Sequence, residues 1–355
     1  MLNIATLAKN AMSVLPRLAI FASRSATPKR WDFTKFVEQV AANSSLFAGV
    51  EVSLADLGAD EVEQKASVDF LKSQDLQLVV DISSANDVTI TEFTLQSPSH
   101  HIKAYESQLH HISKLGDTVK HINLTESGLE EWDVATAAEY LAEVLALSAQ
   151  FLEDHPHMGR YGRETDIMGG SPHHLTGITH ETNKKGILYH PHRAVQLMEI
   201  LPPLRITASN IPQWREACGY RWGFAGGGNE NNDTDNDDDG SKALKADIVP
   251  HIDHIRASII DTIGESSSLD RNILAANEEL WGYVWDRKAK RGVEQVMITP
   301  DLACGEMTTR NLSISGANDG GADSDNLLWG QTIKAAKSIR NSYAEWSASV
   351  TVDKN

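Results

Sequence analysis

Eight short apolar runs, each separated from the next by a longer amphipathic stretch, constrain this chain more than any other feature. They are Arg17–Ala22, Gly49–Leu54, Leu76–Ile82, Val119–Leu124, Leu175–Thr179, Leu204–Ala208, Ile248–Ile255 and Gln295–Thr299. Between and after them the spacing predicts helices over Asp32–Ala42, Asp60–Gln74, Ser99–Leu115, Val134–Glu153, Pro191–Ile200, Leu274–Arg291 and Asn326–Trp346. Strands that alternate with helices pair in parallel, and a parallel strand covered on both faces reads as a nearly continuous apolar run. Eight such units in this order close most economically into a (β/α)8 barrel. The 355 residues accommodate one barrel with insertions, so a single domain over 17–348 is expected, with 1–16 as an N-terminal extension.

Two segments break the rhythm. Residues 226–241 hold Gly226-Gly227-Gly228 and Asp237-Asp238-Asp239, a low-complexity acidic insertion expected to be disordered and solvated. Its alternating Asp233, Asp235 and Asp237 do not make a calcium loop, because the expected bidentate glutamate does not follow and paired helices do not flank it. The second segment, His155 to His174, sets His155, His157, His173 and His174 around Arg160 and Arg163. Its histidines have no regular ligand spacing, so it reads as a long loop leading to the fifth strand.

Charge narrows the partners. A net charge of −17 and a pI near 5.2 oppose binding to polyanions, and no basic stripe is present to follow a phosphate backbone, so nucleic acid is not expected. No apolar stretch is long enough to span a membrane. Cys218 and Cys304 cannot form a disulfide framework, which suits a reducing, cytoplasmic compartment. The first 31 residues carry Lys9, Arg17, Arg24, Lys29 and Arg30 without an acidic residue, a pattern that also admits organelle targeting.

Candidate chemistry clusters where strands end. In a barrel of this kind, side chains from the C-terminal ends of several strands converge on one ligand. Glu181 follows the fifth strand, which makes it the first candidate catalytic carboxylate; Asp301, after the eighth, joins it as a catalytic candidate only through a family resemblance. His180, Arg256, Asn123 and Lys184 are the candidate substrate-binding residues. Glu51 stands on the second strand, where alternation alone allows it to face either way. Trp132, Trp214 and Trp281 read as packing residues and not as sugar-stacking platforms.

These pieces carry a family resemblance. Gly49-Val50-Glu51, His180-Glu181-Thr182, Arg205-Ile206-Thr207-Ala208, Val249 to Ile255 and Thr299-Pro300-Asp301 together resemble the xylose isomerase-like TIM barrels, over roughly Arg17 to Trp346. That superfamily contains sugar isomerases and epimerases and a branch of metal-dependent endonucleases. The resemblance implies a divalent cation held by a glutamate after the fifth strand, an aspartate and a histidine after the sixth, a histidine on the seventh and a glutamate after the eighth. Glu181 matches the first of these, and Asp301 takes the last position one methylene shorter. Ser209 and Asn210 stand at the aspartate position, Gln213 at the histidine position and Arg256 at the ligand position of the seventh strand.

On the resemblance, a manganese, magnesium, cobalt or zinc ion would rest on Glu181, Asp301 and His254. A chemistry without metal is also open, in which the fixed charge of Arg256 replaces the cation and pairs with Glu181 or Asp301. The expected function is a sugar or hydroxy-carbonyl isomerase or epimerase acting on a carbohydrate-like small molecule through carboxylates at the C-terminal face. The alternative is a non-catalytic barrel that binds a small polyol or a protein partner. A metal-dependent phosphodiesterase is disfavoured by the acidic balance and the shortage of clustered ligands.

Overall fold

A computed structural model of the chain describes residues 15–28, 30–83, 97–126, 129, 131–158, 177–182, 186–209, 247–258, 268–291, 293–301 and 322–352. The strands are β1 (Arg17–Ser23), β2 (Gly49–Ser53), β3 (Gln77–Ser83), β4 (Val119–Thr125), β5 (Ile178–Glu181), β6 (Ile206–Ala208), β7 (Ile252–Ser258) and β8 (Gln295–Asp301). They form a closed barrel in chain order, β8 pairing back to β1, with every pair parallel. The expected (β/α)8 barrel is what the chain forms.

The described helices are α1 (Phe33–Ala41), α2 (Leu54–Leu57), α3 (Glu61–Ser73), α4 (Pro98–Ser113), α5 (Val134–Asp154), α6 (Pro191–Ile200), α7 (Ser268–Lys290) and α8 (Ala322–Val352). Their starts follow local chemistry. Asp32, Asp60 and Asp133 each accept a backbone N–H from the first turn of α1, α3 and α5, and proline occupies the first turn of α4 and α6, where a missing N–H costs nothing.

Most strand boundaries agree with the sequence reading to within a residue or two, and the start of β7 does not. Strand β5 runs from Ile178, immediately after Gly177, whose φ of 114° lies in the region that favours glycine, and Leu175, where the sequence reading starts it, lies outside the described residues. Strand β7 begins at Ile252 and not at Ile248, because Val249–His251 form a 3-10 turn around Pro250. A proline cannot donate to the ladder, so pairing starts after it. The acidic insertion 226–241 and the histidine-rich loop beyond Met158 lie outside the described residues.

Two apolar clusters stabilise the barrel. The larger joins the outward faces of the strands to the helices, with Phe36, Leu71, Tyr105, Leu141, Leu197, Trp281 and Trp285 among its buried members. Trp281 is fully buried and Trp132 packs edge-on against His101 and Tyr140, as packing residues should. The smaller cluster, Ala19, Phe21, Val79 and Met297, fills part of the barrel interior. Gly49 lets β2 approach β3 closely, since a Cβ there would stand 2.1 Å from the Gln77 carbonyl oxygen. This apolar floor supports a polar upper interior.

Candidate active site

Alternation along each strand sends Glu51, Asp81, Asn123, Thr179, Glu181, Thr207, His254, Arg256 and Thr299 into the barrel, as their mutual contacts show. The lower tier of this set is a chain of imidazoles and hydroxyls. His121 Nε2 lies 2.7 Å from Thr179 Oγ1, which lies 2.6 Å from Thr207 Oγ1. Thr207 Oγ1 is 3.3 Å from His254 Nδ1, and His254 Nε2 is 2.9 Å from Thr299 Oγ1. The two imidazoles meet edge to face at 5.4 Å. Burial pushes His254 down to about 4, against the pull of Glu51, and burial likewise pushes His121 well below the ordinary histidine range, so both rings are neutral at pH 7.

Above them one guanidinium meets three carboxylates. Arg256 donates from Nε to Glu51 Oε1 at 2.7 Å and from Nη1 to Glu181 Oε1 at 2.7 Å. Its Nη2 reaches Asp81 Oδ2 at 2.6 Å and also contacts Glu51 Oε1. The fork geometry of arginine suits this, because a planar group with five N–H donors engages several carboxylates at once where an ammonium would act as a point charge. The supports come from neighbouring strands. Thr125 Oγ1 donates to Glu181 Oε2 at 2.5 Å, and Asn123 Nδ2 donates to Asp81 Oδ1 at 3.1 Å.

The carboxylates are not equivalent. Glu51 is fully buried, which alone would raise its pKa. The charge of Arg256, joined in acid by that of protonated His254, and hydrogen bonding by Thr299 and Arg256 outweigh that and hold it at about 2. Asp81 moves the other way, well above the ordinary aspartate range. Burial raises it most, and the negative charges of Glu51 and Glu181 add to that against the attraction of Arg256. Its side chain keeps 24% exposure, which softens the burial contribution but not the crowding of like charges. Crowding of like charge around one cation thus falls most heavily on Asp81.

A cavity of about 400 Å³ opens beside this cluster over the ends of β1, β2 and β3. Glu51 and Asp81 form part of its wall, with the hydroxyls of Ser23, Ser25, Thr27 and Ser53 and the charged Arg24 and Asp56. The volume falls within the range of small-molecule pockets.

The residues singled out in the sequence divide into groups. Glu181, Arg256 and Asn123 come together at the mouth, and His254 lies below them inside the barrel, 3.7 Å from Glu51. Asp301 closes β8 at its C-terminal end, opposite Ser258 of β7, and its side chain and all of Lys184 lie outside the described residues. His180 faces away from the mouth. Its neighbours in the chain point inward, and its own Nδ1 meets Glu126 Oε1 at 2.8 Å, with both side chains buried behind the sheet. A substrate contact by His180 therefore does not fit this geometry, because period-two alternation puts it and Glu181 on opposite faces.

Two residues that matter were not selected from sequence. Alternation alone leaves Glu51 open between the two faces, and Asp81 belongs to no motif. The signal for Asp81 is its setting in Val79-Val80-Asp81-Ile82, a lone carboxylate near the C-terminal end of a run otherwise built for burial. A charge in such a place requires a partner.

A divalent cation does not fit the donors present. Among the described residues no group of three His, Cys, Asp or Glu side chains stands where it could share an ion. The point toward which Glu51, Asp81 and Glu181 converge holds the positive charge of Arg256, and both ring nitrogens of His254 face threonine hydroxyls.

Comparison with solved structures defines the fold more closely. The barrel superposes on a D-psicose 3-epimerase from Clostridium cellulolyticum H10, crystallised with D-tagatose, with a TM-score of 0.52 over 91% of this chain and 98% of that one, at 12% identity. The chain shares that fold. A D-allulose 3-epimerase from Methylomonas sp. matches with a TM-score of 0.49 at 14% identity, over 93% and 99% of the two chains. A xylose isomerase-like TIM barrel protein from Mycobacterium smegmatis in complex with magnesium matches with a TM-score of 0.42 at 9% identity, over 81% and 90%. No protein-family profile matches the sequence, and no curated protein matches it either. Among the described residues no helix is long and apolar enough to cross a membrane.

Proposed function

We propose that the chain is an isomerase or epimerase of a carbohydrate-like hydroxy-carbonyl compound, working by proton transfer between carboxylates at the C-terminal mouth of the barrel. The observation that carries this reading is the cluster of Glu51, Asp81 and Glu181 around Arg256, which borders a cavity large enough for a hexose through Glu51 and Asp81. The shared fold with an epimerase that holds D-tagatose supports the substrate class.

In this reading Glu181 is the base. Each of its oxygens accepts one hydrogen bond, from Arg256 and from Thr125, and each keeps a further lone pair. It removes a proton from the carbon beside the substrate carbonyl. The C–H electron pair becomes the carbon–carbon double bond of an enediolate, and negative charge gathers on the carbonyl oxygen near the guanidinium, which offsets it. Asp301, at the end of β8, returns a proton. Return to the opposite face of the same carbon gives an epimer, and return to the neighbouring carbon, with the adjacent hydroxyl proton passing to the former carbonyl oxygen, gives an isomer. Asn123 holds Asp81 in place. No step is routed through a metal, since the donors among the described residues do not fit one.

The test is wash-in of solvent deuterium. A panel of ketoses and aldoses incubated with the protein in D2O should lose the proton signal beside the carbonyl of at least one member, and Glu181→Gln should lower that rate by a factor on the order of 10²–10⁴. A specific observation favours a second reading. Every carboxylate of the cluster already engages Arg256, as in a barrel that binds a polyol without turning it over. Saturable binding of a sugar with no deuterium incorporation would select that reading.

A further inference from the structure

The charge arrangement at the mouth leads to a conclusion about this barrel that does not depend on its reaction. Glu51, Asp81 and Glu181 come from β2, β3 and β5, strands spread over much of the barrel, and all direct an oxygen at the guanidinium of Arg256 on β7. Carboxylates so placed repel one another unless a cation lies between them. A metal ion would normally be that cation, with oxygen ligands drawn in from several strands. Here a covalently attached group occupies the position.

The guanidinium is also held from beneath. Glu51 is fully buried, with Oε2 3.7 Å from His254 Nε2, and Thr299 meets that same ring nitrogen at 2.9 Å. Thr207 bonds the other nitrogen of that imidazole. A neutral histidine between two threonine hydroxyls fixes the height of Glu51, and Glu51 contacts Arg256 through both Nε and Nη2. That double contact fixes the plane of the guanidinium and with it the positions of Asp81 and Glu181. Arg256 is only 15% exposed, so solvent offers little competing hydration.

We propose that Arg256 is a resident cation: a positioning residue that takes the place of a divalent ion, gathers Asp81 and Glu181 on either side of itself, and makes this barrel mouth independent of metal. Its partner Glu51 serves as the anchor of that cation and not as a group that meets substrate. The inference rests on the cluster itself, and it stands or falls separately from the proposed isomerase activity because its test reads metal occupancy and not turnover.

The test compares tag-free full-length wild type with Arg256→Ala, Arg256→Gln and Arg256→Lys. Free Mn²⁺ is followed by electron paramagnetic resonance, with the thermal midpoint read with Mn²⁺ and with chelator. Wild type and Arg256→Lys, which keep a cation in the cluster, should show the same midpoint in both conditions. Arg256→Ala or Arg256→Gln should acquire Mn²⁺ binding at least about tenfold tighter than wild type and a midpoint that rises with the ion, since the three carboxylates then surround a vacancy of the right charge. Adding Glu181→Gln to either variant should remove the gain, which separates this site from stray binding by the histidine-rich segment. If Arg256→Ala does not fold, Arg256→Gln carries the comparison, and refolding of either by millimolar guanidinium ion would itself support the assignment. Stoichiometric Mn²⁺ on the wild type that Glu181→Gln abolishes would overturn the proposal, as would folded Ala and Gln variants that gain no affinity.

Discussion

Strand β7 supplies two buried ion clusters from opposite faces, and they are built on opposite terms. Inward, Arg256 meets Glu51, Asp81 and Glu181. Outward, Asp253 contacts Lys288 of α7 and lies 3.8 Å from the Arg205 guanidinium, with all three side chains at most 5% exposed. The outer cluster sets one carboxylate against two cations and is sealed between sheet and helices. The inner one sets three carboxylates against one cation and opens on a cavity. Burial alone therefore does not distinguish structure from function here. What distinguishes them is a surplus of one charge facing a space that a ligand can enter, because surplus charge has a cost that packing gains nothing from.

The largest effect should come from breaking the outer cluster. Asp253→Ala leaves Lys288 and Arg205 in a dry interface without that carboxylate, and removing one member of a buried ion pair costs about 3–5 kcal/mol. Urea denaturation should show that loss, and ligand binding at the mouth by the surviving folded protein should match wild type. Weakened binding at the mouth would mean that the two faces of β7 are coupled and that the contrast is false.

Next in size is the anchor of the inner cluster. The carboxyl of Glu51 falls from 4.5 in the open chain to about 2 in the fold. A depressed carboxylate adds stability that is fully present above pH 4.5 and is lost as pH falls toward about 2, so the ionised form is worth about 3 kcal/mol at neutral pH. Glu51→Gln should lose about that much at pH 7, and the difference from wild type should shrink steadily below pH 4.5 in urea titrations. A gap that stays constant down to the acid transition would show that charge is not what Glu51 contributes.

The barrel was legible because closure leaves each strand buried on both sides, which writes eight apolar runs into the sequence. The same burial hides which way a residue points. In Gly49-Val50-Glu51-Val52 every residue is buried, so polarity does not mark a phase. The phase of Glu51 is set by β3, where it pairs with Val79, and by Arg256, which stands 205 residues away in the chain. Asp81 shares this difficulty. Glu181 and Arg256 could be read because a carboxylate or an arginine at the C-terminal end of a barrel strand has few structural reasons to be there. The outward aim of His180 was also readable, since it adjoins Glu181 and must take the other face. The mistaken start of β7 came from Pro250, which ends the regular ladder while the apolar composition continues past it.

His254 should leave a mark of similar kind in a different pH window. Its ring is a base pushed down from 6.5 to about 4, so between those values the unfolded chain binds the proton that the fold refuses. Stability is therefore complete above pH 6.5 and declines as pH falls toward about 4, by roughly 3 kcal/mol at most. Replacing the ring by asparagine should flatten that part of the profile while Glu51 still governs the lower part. Proton NMR of the wild-type imidazole, showing it charged at pH 6, would contradict the neutral threonine-bound ring on which the anchoring argument depends.

The smallest change tests the hinge between the two tiers. Thr299 is fully buried, meets His254 Nε2 at 2.9 Å and is among the groups that lower the Glu51 carboxyl. Thr299→Val keeps the shape and removes the hydroxyl, which should cost about 1–3 kcal/mol by leaving buried partners unsatisfied. The more telling consequence concerns protons. Without that hydroxyl Glu51 holds its charge less well and its pKa moves up from about 2, so the acid unfolding transition should shift to higher pH than in wild type. If Thr299→Val and wild type unfold at the same pH, the lower tier is only filler beneath an arginine that positions itself, and the difference between the two faces of β7 reduces to which of them borders a cavity.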